Sequence, residues 1–260
     1  MVELYDLNQP WGANTWPWPY FDDPEVQSVH RFSKDVNHSL KINTAIHIGT
    51  HIDAPLHFAP EGWDIAEMPL ERLFGTGLIL DISDKVDEYS VITPEMCKEA
   101  AAEADLEIKK GDMLVLHTGW KEYFQTGDKA NELTYFARHP GPHKEFTDWW
   151  IEMDFPWVGN DTPAIEHPLN TAIRNYRQDL DLPGELEDAL GEPIEEVLPE
   201  EDWLYAHKNA LPENLMMVEN LGGDIDNPEI LNERVHLGSF PWKWDKGEAA
   251  FCRTVAFKDL

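Results

Sequence analysis

His47-Ile48-Gly49-Thr50-His51-Ile52-Asp53-Ala54-Pro55-Leu56-His57-Phe58 places three imidazoles and one carboxylate in twelve consecutive residues. The steps from His47 to His51, Asp53 and His57 are four, two and four residues. Gly49 permits a sharp turn at low steric cost. Pro55 fixes its own φ and holds the residue before it extended. A bend of this kind can aim His47, His51 and Asp53 at one point. Imidazole and carboxylate together suit zinc, manganese or iron. A lone histidine is more often structural than ligating, but four donors around a Gly-Thr bend point to a metal. Metal sites draw on more than one segment, so the rest of the chain must supply partners.

The composition is that of a folded protein. Of 260 residues, 42% are hydrophobic and 11% aromatic, with eleven tryptophans. A chain of this size buries roughly 70–75% of its unfolded surface, so a large core is available. No run of eighteen apolar residues suggests a membrane span. The opening residues lack a basic and then apolar leader, so no signal peptide is expected. Cys97 and Cys252 do not make a disulfide framework, and a cytoplasmic setting is expected. The net charge of −30 repels nucleic acid and anionic membranes. A small-molecule partner is expected instead. The charge fits either an ordinary acidic enzyme or a high-salt environment.

Periodicity divides the chain into alternating elements. A short strand is expected at 3–5, followed by an aromatic loop over 9–25. Alternating apolar and polar residues predict antiparallel strands at 26–34 and 40–48, the second delivering His47 at its end. Residues 65–74 suit a short helical turn. Buried strands are expected at 77–82 and 111–118. A helix is expected between them, with Thr93 as cap and Pro94 in its first turn. Residues 119–145 are turn-rich, 146–153 helical, and 155–161 a strand entering a loop. Residues 170–202 form an acidic insertion whose run 179–202 reads as solvated. A strand at 213–221 and two closing strands at 234–240 and 249–257 complete a single α/β domain spanning 1–260.

Partners for the cluster are visible only weakly. Glu219 interrupts the apolar run Leu215-Met216-Met217-Val218. A buried lone carboxylate costs several kcal/mol unless it is paired or meets a cation. His207 lies twelve residues earlier. Taken alone, His207 reads equally as a surface histidine and Glu219 as an exposed bulge.

A longer pattern connects them. His47-x-Gly49-Thr50-His51-x-Asp53-x-Pro55-x-His57 resembles the signature of the cyclase family of metal-dependent hydrolases, which includes bacterial kynurenine formamidases and isatin hydrolases. Gly119-Trp120, the turn Gly159-Asn160-Asp161-Thr162-Pro163, and Ala206-His207 with Glu219-Asn220-Leu221 resemble further family segments, in the family's order. The resemblance implies a swivelling β/β/α domain with a mixed sheet and short helices. It implies that His47, His51 and Asp53 bind a divalent metal, zinc or manganese, with Asp53 able to bridge two ions. His207 and Glu219 complete a second site, and His57 transfers protons rather than ligating. The implied reaction is attack of a metal-activated water on a C–N or C–O acyl bond of a small aryl or cyclic amide or lactone. A homodimer or homotetramer is expected.

Rigid aromatics often line pockets, so Trp16, Trp18, Phe21 and Trp63 are read as substrate-binding. The segment Ala164-Ile165-Glu166-His167 departs from the family's small residues, and His167 is expected to be exposed. Cys97 and Cys252 read as core thiols, not nucleophiles. Two alternatives remain open: a lyase or cyclising enzyme on the same metals, and a non-catalytic metal-binding protein.

Overall fold

Leu78-Ile79-Leu80 and Leu114-Val115-Leu116 are unbroken apolar runs with every side chain buried. Such runs suit strands covered on both faces, and they form the centre of the sheet. The computed structural model describes residues 1–260. Its elements in chain order are β1 (Glu3–Asp6), β2 (Glu25–His30), β3 (Ser39–Asn43), β4 (His51–Asp53), α1 (Leu70–Leu73), β5 (Phe74–Asp81), β6 (Val91–Ile92), α2 (Pro94–Glu103), β7 (Met113–His117), α3 (Glu132–Ala137), β8 (Gly141–Pro142), α4 (Lys144–Met153), β9 (Trp157–Asn160), α5 (Leu182–Leu190), α6 (Ile194–Val197), α7 (Tyr205–Asn209), β10 (Met216–Glu219), β11 (Glu233–Pro241) and β12 (Ala249–Lys258).

Eight strands form one mixed sheet in the order β1-β12-β11-β5-β7-β9-β10-β4. The run β5, β7, β9 and β10 is parallel, and the other pairings are antiparallel. The long strand β12 closes the sheet into a barrel. One edge of β12 pairs with β11. On the other edge, its Ala249–Phe251 half pairs with β4 and its Val255–Lys258 half with β1. This is the expected α/β single domain with mixed sheet and short helices.

Strand alternation sorts the side chains onto two faces. Ile79, Val115, Trp157, Met216, Val218 and Leu237 fill the barrel interior. Leu78, Leu80, Leu114, Leu116, Val158 and Met217 face outward beneath the helices, against Phe146, Trp150 and Ala206. Thr93 accepts the Met96 N–H at 3.4 Å and Pro94 starts α2, as the capping pattern predicts. No helix is long and apolar enough to cross a membrane.

Four expectations change. Strand β3 ends at Asn43 rather than 48, because the chain must leave the hairpin to enter the barrel; His47 therefore sits in a loop. Residues 119–145 are not only turns: α3, capped by Asn131, buries Thr134, Tyr135, Phe136 and Ala137. The acidic run is solvated on one face only. Leu182, Leu186, Ile194 and Leu198 are buried against Tyr89, Leu169 and Ile173. His167 is fully buried rather than exposed, because Nε2 lies 3.0 Å from the Tyr89 carbonyl while Nδ1 accepts the Leu169 N–H.

Candidate metal centre

Strand register assembles the centre. In the β4–β10 pair, His51 lies opposite Glu219 and Asp53 opposite Met217. Alternation puts His51, Asp53, Met217 and Glu219 on the helix-covered face, where directly opposed residues have Cβ atoms about 4.5–5.5 Å apart. Gly49, with φ of +68°, turns the chain into β4. Thr50 anchors the bend: its hydroxyl donates to the Asn220 carbonyl at 2.6 Å and accepts the Gln9 N–H at 2.9 Å. Pro55 begins a single 3₁₀ turn, Pro55–His57, which returns His57 towards the cluster. Helix α7 brings His207.

Asp53 is the hub. Its Oδ1 lies 3.0 Å from His47 Nδ1 and 3.3 Å from His51 Nε2. Its Oδ2 lies 3.8 Å from His207 Nε2, and Glu219 Oε2 is 3.5 Å from His51 Nε2. Two groups of donors emerge, each within 4.8 Å: His47, Asp53 and His57, and His51, Asp53 and Glu219. Asp53 belongs to both. The His57 ring lies 4.4 Å from that of His47 and 5.8 Å from that of His207, centre to centre.

Each of three histidines has its outer nitrogen against an acceptor. His51 Nδ1 faces the Gly49 carbonyl at 2.8 Å. His207 Nδ1 faces Glu166 at 3.2 Å. His47 Nε2 faces Glu248 at 3.5 Å. A ring that donates outward presents an unprotonated nitrogen inward, which is the tautomer a metal requires. At the centre, His51 Nε2 and both Asp53 carboxylate oxygens are buried without a hydrogen-bond partner. Buried polar atoms normally have one. The residues therefore fit a divalent cation.

Electrostatics agree. Burial raises Glu219, and the Asp53 charge raises it further. Burial works against the Asp53 carboxylate, but His47 and His51 hold it well below its usual range. Burial also opposes charge on His47, yet Asp53, Glu248 and Glu219 lift it to about 10. The cluster thus demands positive charge at its centre, as a proton on His47 or as a cation. His57 differs: burial brings it down to about 4, outweighing Asp53.

The centre opens into a cavity of about 350 Å³. Trp18 and Phe21 line it, as read from the sequence, together with Phe58, Trp203 and Leu204. Trp16 and Trp63 do not. Trp16 turns to Phe124 and Tyr135, with ring centres 5.8 and 6.4 Å away. Trp63 packs against the barrel-interior core. In both cases a large ring gains more contact in an apolar cluster than at an open cavity wall. The sequence does not single out Glu248, Trp203 or Leu204, and it marks Glu166 only as part of a departure from the family pattern. Glu166 carried the signal used for Glu219, a carboxylate within an apolar stretch. Glu248 and Trp203 had none.

The Cyclase family model, described as "Putative cyclase", matches residues 5–167. A kynurenine formamidase of Bacillus cereus is 35% identical over 225 residues, covering 75% of this chain and 97% of that protein. The structure resembles isatin hydrolase A of Ralstonia solanacearum with a TM-score of 0.74 at 17% identity, over 99% of this chain and 92% of that one. It also resembles a predicted metal-dependent hydrolase of Bacillus stearothermophilus, with a TM-score of 0.65 at 20% identity, over 99% of this chain and 98% of that one.

Proposed function

The chain belongs to the cyclase family, and from that premise we propose that it is a metal-dependent hydrolase acting on the acyl C–N bond of a small aryl amide. The observation that carries the reading is the trio of orphaned buried atoms, His51 Nε2 and the two Asp53 oxygens. The kynurenine formamidase and isatin hydrolase relatives support the same reaction class. A C–O acyl bond, as in a lactone, suits the same geometry.

By the family resemblance His47, His51 and Asp53 would hold one divalent ion, and His207 and Glu219 with Asp53 a second; in the structure the tightest donor groups around Asp53 instead join His51 to Glu219 and His47 to His57. Zinc and manganese both suit this nitrogen and oxygen set. A bound ion supplies an acidified water and polarises the substrate carbonyl. The chain's own residues do the rest. Trp18, Phe21 and Trp203 bound the cavity and orient a flat ring by contact with its faces and edges. Phe58 and Leu204 exclude bulk water. His57, kept neutral by burial, faces the cavity with its ring free to accept a proton and return it to the leaving nitrogen. The outward bonds of His51 and His207 prevent either ring from turning away.

The test is reconstitution. Chelator-treated protein is reloaded with zinc or manganese and offered aryl formamides, isatin-like lactams and lactones, with products weighed by mass spectrometry. Turnover that needs the metal and adds one water to the substrate is expected. A product that has lost water would make the enzyme a lyase. Full metal loading without turnover on any substrate would leave only a binding protein.

A further inference from the structure

Tyr20 occupies a backbone position that suits glycine. Trp18, Pro19, Tyr20 and Phe21 form a tight turn in which the Trp18 carbonyl accepts the Phe21 N–H at 2.9 Å. Proline suits the second place of such a turn, and a positive φ in the third place favours glycine or asparagine. Tyr20 stands in that third place with φ of +152°, a region that residues with a Cβ rarely adopt. Burial does not compensate, because Tyr20 is 59% exposed. Strain of this kind persists only where the surroundings hold it.

Two contacts hold it. The Tyr20 hydroxyl donates to the Ala172 carbonyl at 2.9 Å. The Tyr20 ring meets that of Tyr176 edge to face, with centres 5.2 Å apart. Both partners lie in the 170–202 segment, on an anchor that is itself fixed. Ile173 is fully buried, and the Arg174 guanidinium donates to the Leu169 and Leu198 carbonyls at 2.8 and 2.6 Å.

The contacts join two walls of one cavity. Trp18 and Phe21, the first and last residues of the turn, line it from one side, and Thr171 and Ala172 line it from the other. Trp18 has an anchor of its own, with its ring 6.0 Å from that of Phe136. Phe21 has none: it is 40% exposed, and its ring lies 6.3 Å from that of His47. Its place beside the metal centre therefore depends on the turn.

We propose that Tyr20 is a positioning residue, a strut between the aromatic loop and the 170–202 segment that holds Phe21 and Trp18 as a ready-made slot for the substrate ring. A slot formed in advance spares the cost of ordering its walls on binding. The role rests on the hydrolysis of an aryl amide proposed above, whereas the strut itself is a property of the free protein and can be measured without turnover.

The experiment compares wild type, Tyr20→Gly and Tyr20→Phe, all zinc-loaded, by steady-state kinetics on an aryl formamide and by hydrogen exchange over residues 16–24. Glycine relieves the strain and cuts the strut, whereas phenylalanine keeps the ring contact and loses only the hydroxyl. Tyr20→Gly should raise KM about 10-fold or more, for one hydrogen bond and one ring pair lost together. Its kcat should not change, the pattern of binding lost equally from ground and transition states, and its melting temperature should not fall. Tyr20→Phe should lie between, with KM raised about 2- to 10-fold. Exchange over 16–24 should quicken in the same order. Wild-type KM in Tyr20→Gly would leave Tyr20 a mere turn residue and overturn the proposal. A lower kcat with lost metal would overturn it too, by making the loop a support of the metal centre. If wild type turns over no substrate, the hydrolase reading fails; faster exchange in Tyr20→Gly would then still uphold the strut, and unaltered exchange would overturn it.

Discussion

His51 is the most constrained donor of the centre. Its outer nitrogen is committed to the Gly49 carbonyl and its inner one sits between Asp53 and Glu219. Glu219 in turn uses one oxygen to accept the Ile165 N–H at 2.7 Å, leaving the other for the centre. Glu219→Gln removes a negative donor while keeping that backbone bond possible. Metal content measured by plasma emission should fall from about two ions per chain to about one; unchanged content would remove Glu219 from the ligand set. Glu166 acts at one remove. It accepts both the backbone N–H and the Nδ1 of His207, at 3.0 and 3.2 Å. Outer partners of this kind are worth about 10- to 100-fold in metal affinity. Glu166→Gln should weaken binding by that factor in a competition titration, and Glu166→Asp should restore part of it. His57 has the opposite profile. His57→Ala should keep metal content and lower kcat by about 10²–10⁴-fold, the usual worth of a positioned acid–base group. Wild-type turnover in that variant would reassign the proton transfer.

At the scale of elements, the acidic segment joins the site to the periphery. Asp181 caps α5 by accepting the Gly184 N–H at 3.2 Å. Glu185 on α5 accepts from Arg138 and from the Tyr89 hydroxyl, at 2.9 and 2.6 Å. Beneath this polar lid Leu186 is fully buried. The segment then leads through Leu204, held at φ +53°, a conformation that costs a non-glycine residue about 1–2 kcal/mol. The bend places Trp203 and Leu204 over the cavity and starts α7 so that His207 faces Asp53. Leu186→Ala should cost about 2–5 kcal/mol of unfolding free energy in denaturant titrations, as buried Leu truncations do. Metal stoichiometry should not change, because the ligands lie on β4 and the loop before it, on β10 and on α7, and not on α5. Lost metal would show that α5 helps to build the centre.

For the whole molecule, two buried histidines tie stability to pH. His167 donates from Nε2 to the Tyr89 carbonyl and accepts at Nδ1, a pairing only the neutral ring can make. Burial, with little to offset it, lowers His167 to about 3 and His139 to about 4. In the unfolded chain both titrate near 6.5. The native state therefore resists protonation that the unfolded state accepts. Their contribution is complete above pH 6.5 and is lost as pH falls from there towards 4 and then 3, on the order of 3–5 kcal/mol each. Thermal melts from pH 7.5 to 4.5 should show a falling Tm that is partly rescued in His167→Gln, whose amide can still donate to Tyr89 and accept from Leu169. A flat profile would show that neither ring is held neutral.

Much of this was legible in the residues themselves. The bend at Gly49, the capped helix after Thr93 and the buried strands of the sheet follow from local sterics and from apolar periodicity, which act over a few residues. The cluster of His47, His51, Asp53 and His57 was legible for the same reason: its donors share one bend. The suspicion over Glu219 rested on the cost of burying a lone carboxylate. What the residues could not reveal depends on contacts between distant segments. The register that sets His51 opposite Glu219 is decided by closure of the barrel through β12, 196 residues after β4 closes on Asp53 and 30 after Glu219 at its opening residue Ala249. Whether a tryptophan lines a cavity, as Trp18 does, or fills a core, as Trp16 and Trp63 do, turns on neighbours from elsewhere in the chain. The burial of His167 is not legible in the sequence, because its partners, the Tyr89 carbonyl above all, come from a remote loop. Local sequence determined the chemistry of the donors, and only the closed tertiary structure decided which of them meet, since side-chain proximity across a sheet is a property of strand pairing and not of spacing along the chain.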